Sequence, residues 1–317
     1  MQRLILKFLY VVASVRYPHL RRDLRYFVRD NYFCRLNQIR YFVADYVVKK
    51  KYKVIRYEGE FQAEMFHALP FAYWHHLNGT LQQTISSKNT KEFYFFSENH
   101  VEQFDKRVWQ AGYDFYDIPN MTHSPTFDFS KWARVPLKEH YQNDVFVYEK
   151  PLLVIANKYN IEWDRPPVNF LDIPSLDRIL STYKAKYQII YNRPLSTQIV
   201  DDNSEIKDLG EHAWIRAEHP EVMLMNDLYE QHRDTVNNYN HLQLMVYANC
   251  ERFISMHGGT AGLASYFGGI NIIYSHPSGG MEHSFNDYAL TFPAMSGATI
   301  LHAKEREEIV QYLSKYY

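Results

Sequence analysis

The chain of 317 residues has few residues that interrupt regular structure, with 12 glycines and 13 prolines, and it has only two cysteines. Cys34 and Cys250 cannot provide a disulfide framework and have no zinc-ligand spacing, so we expect a reducing compartment and a cytoplasmic location. The composition, 46% hydrophobic and 22% charged residues, predicts a globular protein long enough for two domains.

The sequence also lacks long apolar runs and several familiar motifs. The uncharged run of residues 8–15 is too short to span a bilayer, and the basic amphipathic sequence after it argues against a signal peptide. No G-x-G-x-x-G follows a predicted strand, which weakens an oxidoreductase with a Rossmann fold. There is no internal repeat and no low-complexity linker.

Positive charge is concentrated in residues 1–53. This segment has thirteen Lys/Arg and three Asp, a net charge of +10, whereas the rest of the chain has a net charge of −11. Apolar residues recur there at steps of three and four, which predicts an amphipathic helical arm. Such an arm suits either an anionic membrane surface, as a peripheral attachment, or the acidic body of the protein itself. No nucleic-acid motif accompanies the charge, so we expect no nucleic-acid partner.

The first α/β region begins after this arm. Residues 53–57 (KVIRY) indicate a strand, and a glycine turn and a helix follow it. Residues 91–97 (KEFYFFS) indicate the next strand, and residues 101–111 a helix. Residues 117–144, rich in Pro, His and aromatic residues, indicate a long loop of the kind that carries binding groups.

In the second half, strands are predicted to alternate with helices, which indicates a parallel sheet. The predicted strands are residues 152–156, 187–191, 222–225, 253–256 and 271–274. We expect the last amphipathic helix to pack back on the first domain. The expected divisions are an arm (1–53), an acceptor-side α/β domain (54–150), a donor-binding α/β domain (151–303) and a C-terminal helix (304–317).

The segment FISMHGGTAGLASYFGG, residues 253–269, has the pattern of a strand, a glycine turn and a short helix. Free backbone N–H groups and the positive end of a helix dipole then meet at one point, which favours phosphate. Gly258 and Gly259 allow close approach of the backbone, Thr260 can cap the helix or bind an oxygen, and His257 can donate a hydrogen bond. The alternative is a structural turn with a satisfied histidine.

Other polar residues follow the predicted strands of the second half. They are Asn157, Lys158, Arg193 and Asp227. Ligands of an open parallel sheet bind outside the carboxyl ends of its strands, so two cations and a glycine turn at that edge form a diphosphate cradle. The structural alternatives are a solvated loop lysine for Lys158 and an ion pair for Arg193.

Two α/β halves with a glycine turn in the first and a phosphate cradle in the second resemble a GT-B glycosyltransferase, with two Rossmann-like halves. Gly59-Glu60-Phe61-Gln62-Ala63 resembles the Gly-x-Phe/Leu-Gly-Asn-Gln turn of the fucosyltransferase-like superfamily, although Gln62 and Ala63 depart from it and leave the donor sugar open. The resemblance implies inverting transfer of a hexosyl or deoxyhexosyl group from a nucleotide-sugar to a glycan or other hydroxyl acceptor. It implies no cofactor and no metal.

Such a reaction needs a base for the acceptor hydroxyl. Glu60 and Glu58 follow the first strand, and His67 lies in the helix after it, so these three are the candidate catalytic residues. The alternative is that one carboxylate only caps the following helix, where acidic residues are favoured.

Two other patterns suggest different functions. Asp201-Asp202-Asn203 could bind the metal of a GT-A glycosyltransferase, but it lies in the polar stretch DDNSEIKD, typical of an exposed turn. His75 and His76 lack a third ligand at metal spacing and are expected on a helix surface. A glycan- or nucleotide-binding protein without catalytic activity is the further alternative.

Overall fold

The computed structural model describes residues 2–20, 24–108, 117–119, 129–162, 165–202, 204–277 and 282–317. The chain forms two compact units, residues 1–135 and 136–317. The observed division therefore precedes the expected one between residues 150 and 151.

The first unit opens with the helical arm. Its elements are α1 (Gln2–Arg16), a 3₁₀ turn (Pro18–Leu20), α2 (Leu24–Phe27), a π-helical turn (Val28–Phe33), α3 (Cys34–Val43) and a second π-helical turn (Ala44–Val48). Ala13 of α1 packs with Leu24, Phe27 and Val28 in a small buried core. Lys49, in a left-handed conformation, ends the arm.

The sheet of the first unit has three parallel strands in sequential order. They are β1 (Lys53–Arg56), β2 (Leu81–Ser87) and β3 (His100–Phe104), and the helix between β1 and β2 comprises α4 (Phe61–Ala63), a π-helical turn (Glu64–Ala68) and α5 (Leu69–Leu77). The helix continues past Pro70, which lacks a backbone donor, and the wider π-helical turn ends two residues before this proline.

Three sequence predictions for residues 91–144 differ from the structure. Residues 91–96 form successive turns, in which Tyr94 N donates to Lys91 O over 3.1 Å, and not a strand. Phe93 and Tyr94 are buried in these turns without strand pairing, so the apolar residues here indicate burial and not a strand. Residues 101–104, the start of the helix expected over residues 101–111, belong to strand β3, and part of the expected loop over residues 117–144 is helix α6 (Leu137–Tyr141), which lies in the second unit. The rest of both predictions lies partly outside the described residues.

The second unit has a six-stranded parallel sheet in the order β11-β10-β9-β4-β6-β8. The strands are β4 (Leu152–Ala156), β6 (Gln188–Asn192), β8 (Met223–Leu224), β9 (Arg252–Met256), β10 (Ile270–Tyr274) and β11 (Thr299–Ala303), and β5 (Asn160–Glu162) pairs antiparallel with β7 (Ser204–Ile206). The helices are α7 (Ile173–Tyr183), α8 (Glu211–Glu218), α9 (Met225–Gln231), α10 (Tyr239–Ala248), α11 (Gly259–Ser265), α12 (Glu282–Ser296) and α13 (Arg306–Tyr316).

The C-terminal helix, expected on the first domain, packs on the sheet of the second unit. Ile309, Leu313 and Tyr317 are buried in the core of the second unit's own sheet. Helix α13 starts only a few residues after β11, so the short connection returns it to the sheet that it leaves.

The predicted fold class is confirmed: two α/β units contain parallel sheets, and a helical N-terminal arm precedes them. Among the described residues, no helix combines the length and the hydropathy needed to cross a bilayer.

Candidate functional site

The sheet of the second unit reverses its direction of growth beside β4. From β4 the chain adds β6 and then β8 on one side, and it later adds β9, β10 and β11 on the other. A ligand crevice forms where neighbouring connections leave a parallel sheet in opposite directions. The carboxyl ends of β4 and β9 are therefore the candidate site, and Lys158 and residues 257–260 follow them.

The turn after β9 needs glycine at its centre. Gly258 has φ 123° and ψ −155°, a conformation that only glycine adopts without strain. The first bond within α11 runs from Gly262 N to Gly258 O over 3.2 Å. Among the described residues, nothing accepts a hydrogen bond from the backbone N–H of Gly259 or Thr260, so both donors remain for a ligand.

Lys158 brings a cation to this turn. A Cβ built on Gly258 would lie 3.5 Å from Lys158 Nζ, so the ammonium group and the glycine backbone are neighbours. Lys158 Nζ lies 2.7 Å from Glu162 Oε1, and the Glu162 side chain is 37% exposed. A partly exposed pair of this kind is weak, so an anion can compete with Glu162 for Lys158.

Tyr288 of α12, which is not among the residues predicted from the sequence, holds the turn in place. Its hydroxyl accepts a hydrogen bond from Gly258 N over 3.0 Å and donates to Gly258 O over 2.8 Å. The Tyr288 ring centroid lies 5.4 Å from that of His257, in edge-to-face geometry. Burial raises the pKa of Tyr288, so its hydroxyl keeps its proton. Because α12 is distant along the chain, no local pattern could connect Tyr288 with the turn.

His257 and Thr260 also have structural contacts. His257 is 3% exposed, and its backbone N donates to Tyr274 O over 3.0 Å. Thr260 Oγ1 donates to Met256 O over 2.9 Å and so ties the start of α11 to β9. The hydroxyl proton of Thr260 is therefore committed to the fold, whereas its backbone N–H is not.

Asn157 and Arg193 occupy structural positions. Asn157 is fully buried; its side chain donates to Leu171 O and Tyr191 Oη and accepts from Leu171 N, each over 2.9 Å. Arg193, 4% exposed, forms a two-pronged ion pair with the buried carboxylate of Glu211. The ion-pair alternative therefore describes Arg193 better than the diphosphate cradle does.

Asp227 is also engaged away from the turn. Its carboxylate accepts two hydrogen bonds from the Arg216 guanidinium, over 2.7 and 3.1 Å, in an exposed pair. Of the strand-end residues, Lys158 is the one that the structure brings beside the glycine turn.

The glycine turn of the first unit is built differently. A Cβ built on Gly59 would lie 2.6 Å from the Tyr57 hydroxyl, so glycine is needed there for packing. Arg107 Nη1 donates to Gly59 O over 3.0 Å, and its other end pairs with the buried carboxylate of Glu64 over 2.7 Å. Tyr94 Oη also donates to Glu64, over 2.8 Å. This buried network, absent from the sequence predictions, fixes the turn that carries Glu58 and Glu60.

The three candidate bases differ in their surroundings. Glu58 is 29% exposed and lies 3.5 Å from Arg56 Nη2. Glu60 is the residue before α4, but its side chain does not cap the helix, so the capping alternative does not describe it. Burial lowers the pKa of His67 to about 3, which makes it a weak proton acceptor at neutral pH.

The residues considered for a metal have other contacts. Asp202 Oδ1 accepts from Ser204 N over 2.8 Å in an exposed turn. His75, expected at the surface, is 1% exposed, and its Nδ1 lies 2.7 Å from Thr80 Oγ1, whereas His76 is exposed. Within the described ranges, no group of three or more His, Cys, Asp or Glu side chains could hold a metal ion.

No protein-family model matches the chain. No curated protein matches it significantly either. A solved structure of E. coli heptosyltransferase WaaC with ADP is similar, with 9% identity, coverage of 89% of this chain and 78% of that chain, and a TM-score of 0.37. At this TM-score the likeness supports no conclusion about the present chain.

Proposed function

We propose that the chain is a glycosyltransferase of GT-B layout, whose second unit binds the diphosphate of a nucleotide-sugar at the β4/β9 edge. The observation that carries the proposal is the Lys158 ammonium group beside the Gly258 turn, at the point where the strand order reverses. A cation and unbonded backbone donors at one point suit a phosphate group.

Transfer leaves negative charge on the departing diphosphate as its bond to the sugar breaks. Lys158 and the N–H groups of Gly259 and Thr260 would stabilise that charge, and fixed donors contribute most where they need not reorganise. This chemistry requires no metal ion. Lys158 would exchange Glu162 for the diphosphate on binding.

For the acceptor we propose Glu60 as the base and Glu58 as the alternative. The base would take the proton of the acceptor hydroxyl while the acceptor oxygen bonds to the sugar and the sugar–phosphate bond breaks. His67 is a weaker candidate because of its low pKa. The acceptor would be a glycan or another hydroxyl compound.

Calorimetric titration with ADP, UDP and GDP, in the presence of a chelator, tests the donor site. Lys158→Gln should weaken binding of the preferred nucleotide by about 10- to 150-fold, the equivalent of about 1.5–3 kcal/mol for a charge-assisted hydrogen bond. Lys184→Gln is the matched control, because Lys184 is also a partly exposed lysine paired with a glutamate, Glu221, in the same unit. The Lys184→Gln protein should bind the preferred nucleotide with the affinity of the wild type.

Equal affinity of Lys158→Gln and wild type would refute the donor site. Hydrolysis of the nucleotide-sugar without an acceptor separates a transferase from a binding protein, which would bind the nucleotide but leave the sugar attached. Loss of all binding in chelator, restored by a divalent cation, would instead favour a metal-dependent enzyme and direct attention to Asp201 and Asp202.

A further inference from the structure

The arm exposes an apolar face on its first helix. Leu4, Phe8, Val11 and Val15 of α1 are 61–79% exposed and recur at steps of four, three and four, so they share one side of the helix. Ala13, fully buried on another side, packs against the small core of the arm. Helix α1 therefore has a side that is committed to the fold and an apolar side that faces solvent.

The second half of the arm repeats this arrangement. Ile39, Phe42, Val43 and Val47 are 58–70% exposed along α3 and the π-helical turn after it. Cys34 and Asp45, both on the opposite side, are fully buried. We call these eight exposed side chains on the two helices the arm face. Large apolar groups in this number are unusual on a surface that faces only water.

Charges around the arm face have one sign. Its exposed charged side chains include Arg3, Lys7, Arg16, Arg40, Lys49 and Lys50. In the described part of the arm the acidic residues are Asp30 and Asp45; both are buried, and they pair with Arg29 and Lys131 respectively. The exposed charge of the described arm is therefore positive.

We propose that the arm face docks on an anionic lipid bilayer, with its apolar side chains among the acyl chains and its basic side chains at the headgroup phosphates. Apolar helix faces with basic margins lie in the plane of such interfaces. A second copy of the chain fits less well, because pairing two arm faces would bring like charges together. The inference concerns attachment and does not depend on the proposed reaction.

Sedimentation of the full-length protein with vesicles tests the proposal. Phosphatidylcholine vesicles that contain phosphatidylglycerol should bind the protein, pure phosphatidylcholine vesicles should bind it far less, and high salt should weaken binding. Lys7→Gln with Arg40→Gln should lower the partition coefficient about 30-fold, since each basic residue near an anionic surface contributes about fivefold. Arg178→Gln with Arg233→Gln, exposed in the second unit, should leave it unchanged.

The apolar contribution is tested with Phe8→Ser and Phe42→Ser together, which should reduce binding at least tenfold. Val145→Ser with Val147→Ser is the control, because these residues are also 56–64% exposed but lie in the second unit. Unchanged melting temperatures would show that all variants fold. The proposal would be overturned if the Phe8→Ser, Phe42→Ser variant bound vesicles as strongly as the Val145→Ser, Val147→Ser control. It would also be overturned if the wild-type protein bound pure phosphatidylcholine vesicles as strongly as those that contain phosphatidylglycerol. A third contrary result would be a protein that does not bind vesicles but forms a dimer that requires Phe8 and Phe42.

Discussion

At the scale of single residues, the burial of a cation's carboxylate partner distinguishes a cation that is available to a ligand from one that stabilises the fold. Lys158 and Arg193 both follow buried strands of the second unit, and the sequence predicts the same role, diphosphate binding, for both. The partner of Lys158 is the partly exposed Glu162, whereas Glu211 is fully buried and also accepts from Tyr191 Oη over 3.2 Å. Strand ends can be predicted from sequence, but the partner of a charge cannot, because Glu211 comes from another element.

Arg193→Met tests this distinction. It leaves the Glu211 carboxylate buried without its cation, so the free energy of unfolding should fall by about 3–5 kcal/mol in urea titrations. Arg216→Met breaks the exposed pair with Asp227 and should change it by no more than about 1 kcal/mol. An Arg193→Met protein with wild-type stability but reduced nucleotide affinity would return Arg193 to the donor site.

At the scale of elements, burial on both faces decided which strands could be predicted. Strand β4 (LLVIA) is a continuous apolar run and β10 (INIIY) is apolar except for the buried Asn271, because both faces of the sheet are buried at these strands. Strands β2 (LQQTISS) and β3 (HVEQF) carry polar residues on their exposed positions and were missed. The sequence instead predicts a strand for the aromatic segment of residues 91–97, in which Phe93, Tyr94 and Phe96 are buried although residues 91–96 form turns.

Helix α5 carries a histidine whose burial should make stability depend on pH. Desolvation, with Lys53 and Lys131 nearby, lowers the pKa of His75 to about 2 from an ordinary value of 6.5. The unfolded chain therefore binds a proton that the folded chain does not, and stability is lost as the pH falls below about 6.5. The expected slope is about 1.4 kcal/mol per pH unit for this residue.

The control for this prediction is the neighbouring histidine. Urea unfolding at pH 7.5, 6.5 and 5.5 should show a smaller loss of stability for His75→Gln than for wild type, measured relative to each protein's own value at pH 7.5. His76→Gln, at an exposed position, should follow the wild-type profile closely. A wild-type profile in His75→Gln would mean that another group, such as His67, causes the acid sensitivity.

At the scale of the whole molecule, the start of the second unit depends on contacts between residues that are distant in sequence. Pro151 and the apolar run after it suggested that the second unit begins at residue 151. The preceding segment already belongs to that unit: Leu137 and Phe146 are buried, and Asn143 Nδ2 donates to Met245 O over 2.9 Å. The apolar residues of the segment 136–150 have no clear period and therefore predict no element. Their place in the second unit depends on contacts with α10, about a hundred residues later in the chain.

Fragments of the second unit test where it begins. Residues 136–317 contain the complete six-stranded sheet and its core, so this fragment should unfold cooperatively on its own.

A fragment of residues 151–317 loses α6 and three buried side chains, Leu137, Tyr141 and Phe146, each worth about 1.5–3 kcal/mol when fully buried. Its free energy of unfolding should be lower by roughly 5 kcal/mol, measured by urea titration and circular dichroism. Asn143→Ala in the longer fragment should cost only about 1–3 kcal/mol, because it removes the side-chain hydrogen bond to Met245 O, keeps the bond from Asn249 Nδ2 to the backbone oxygen of residue 143, and leaves α6 in place. Equal stability of the two fragments would mean that residues 136–150 are a linker after all and that the second unit begins at β4.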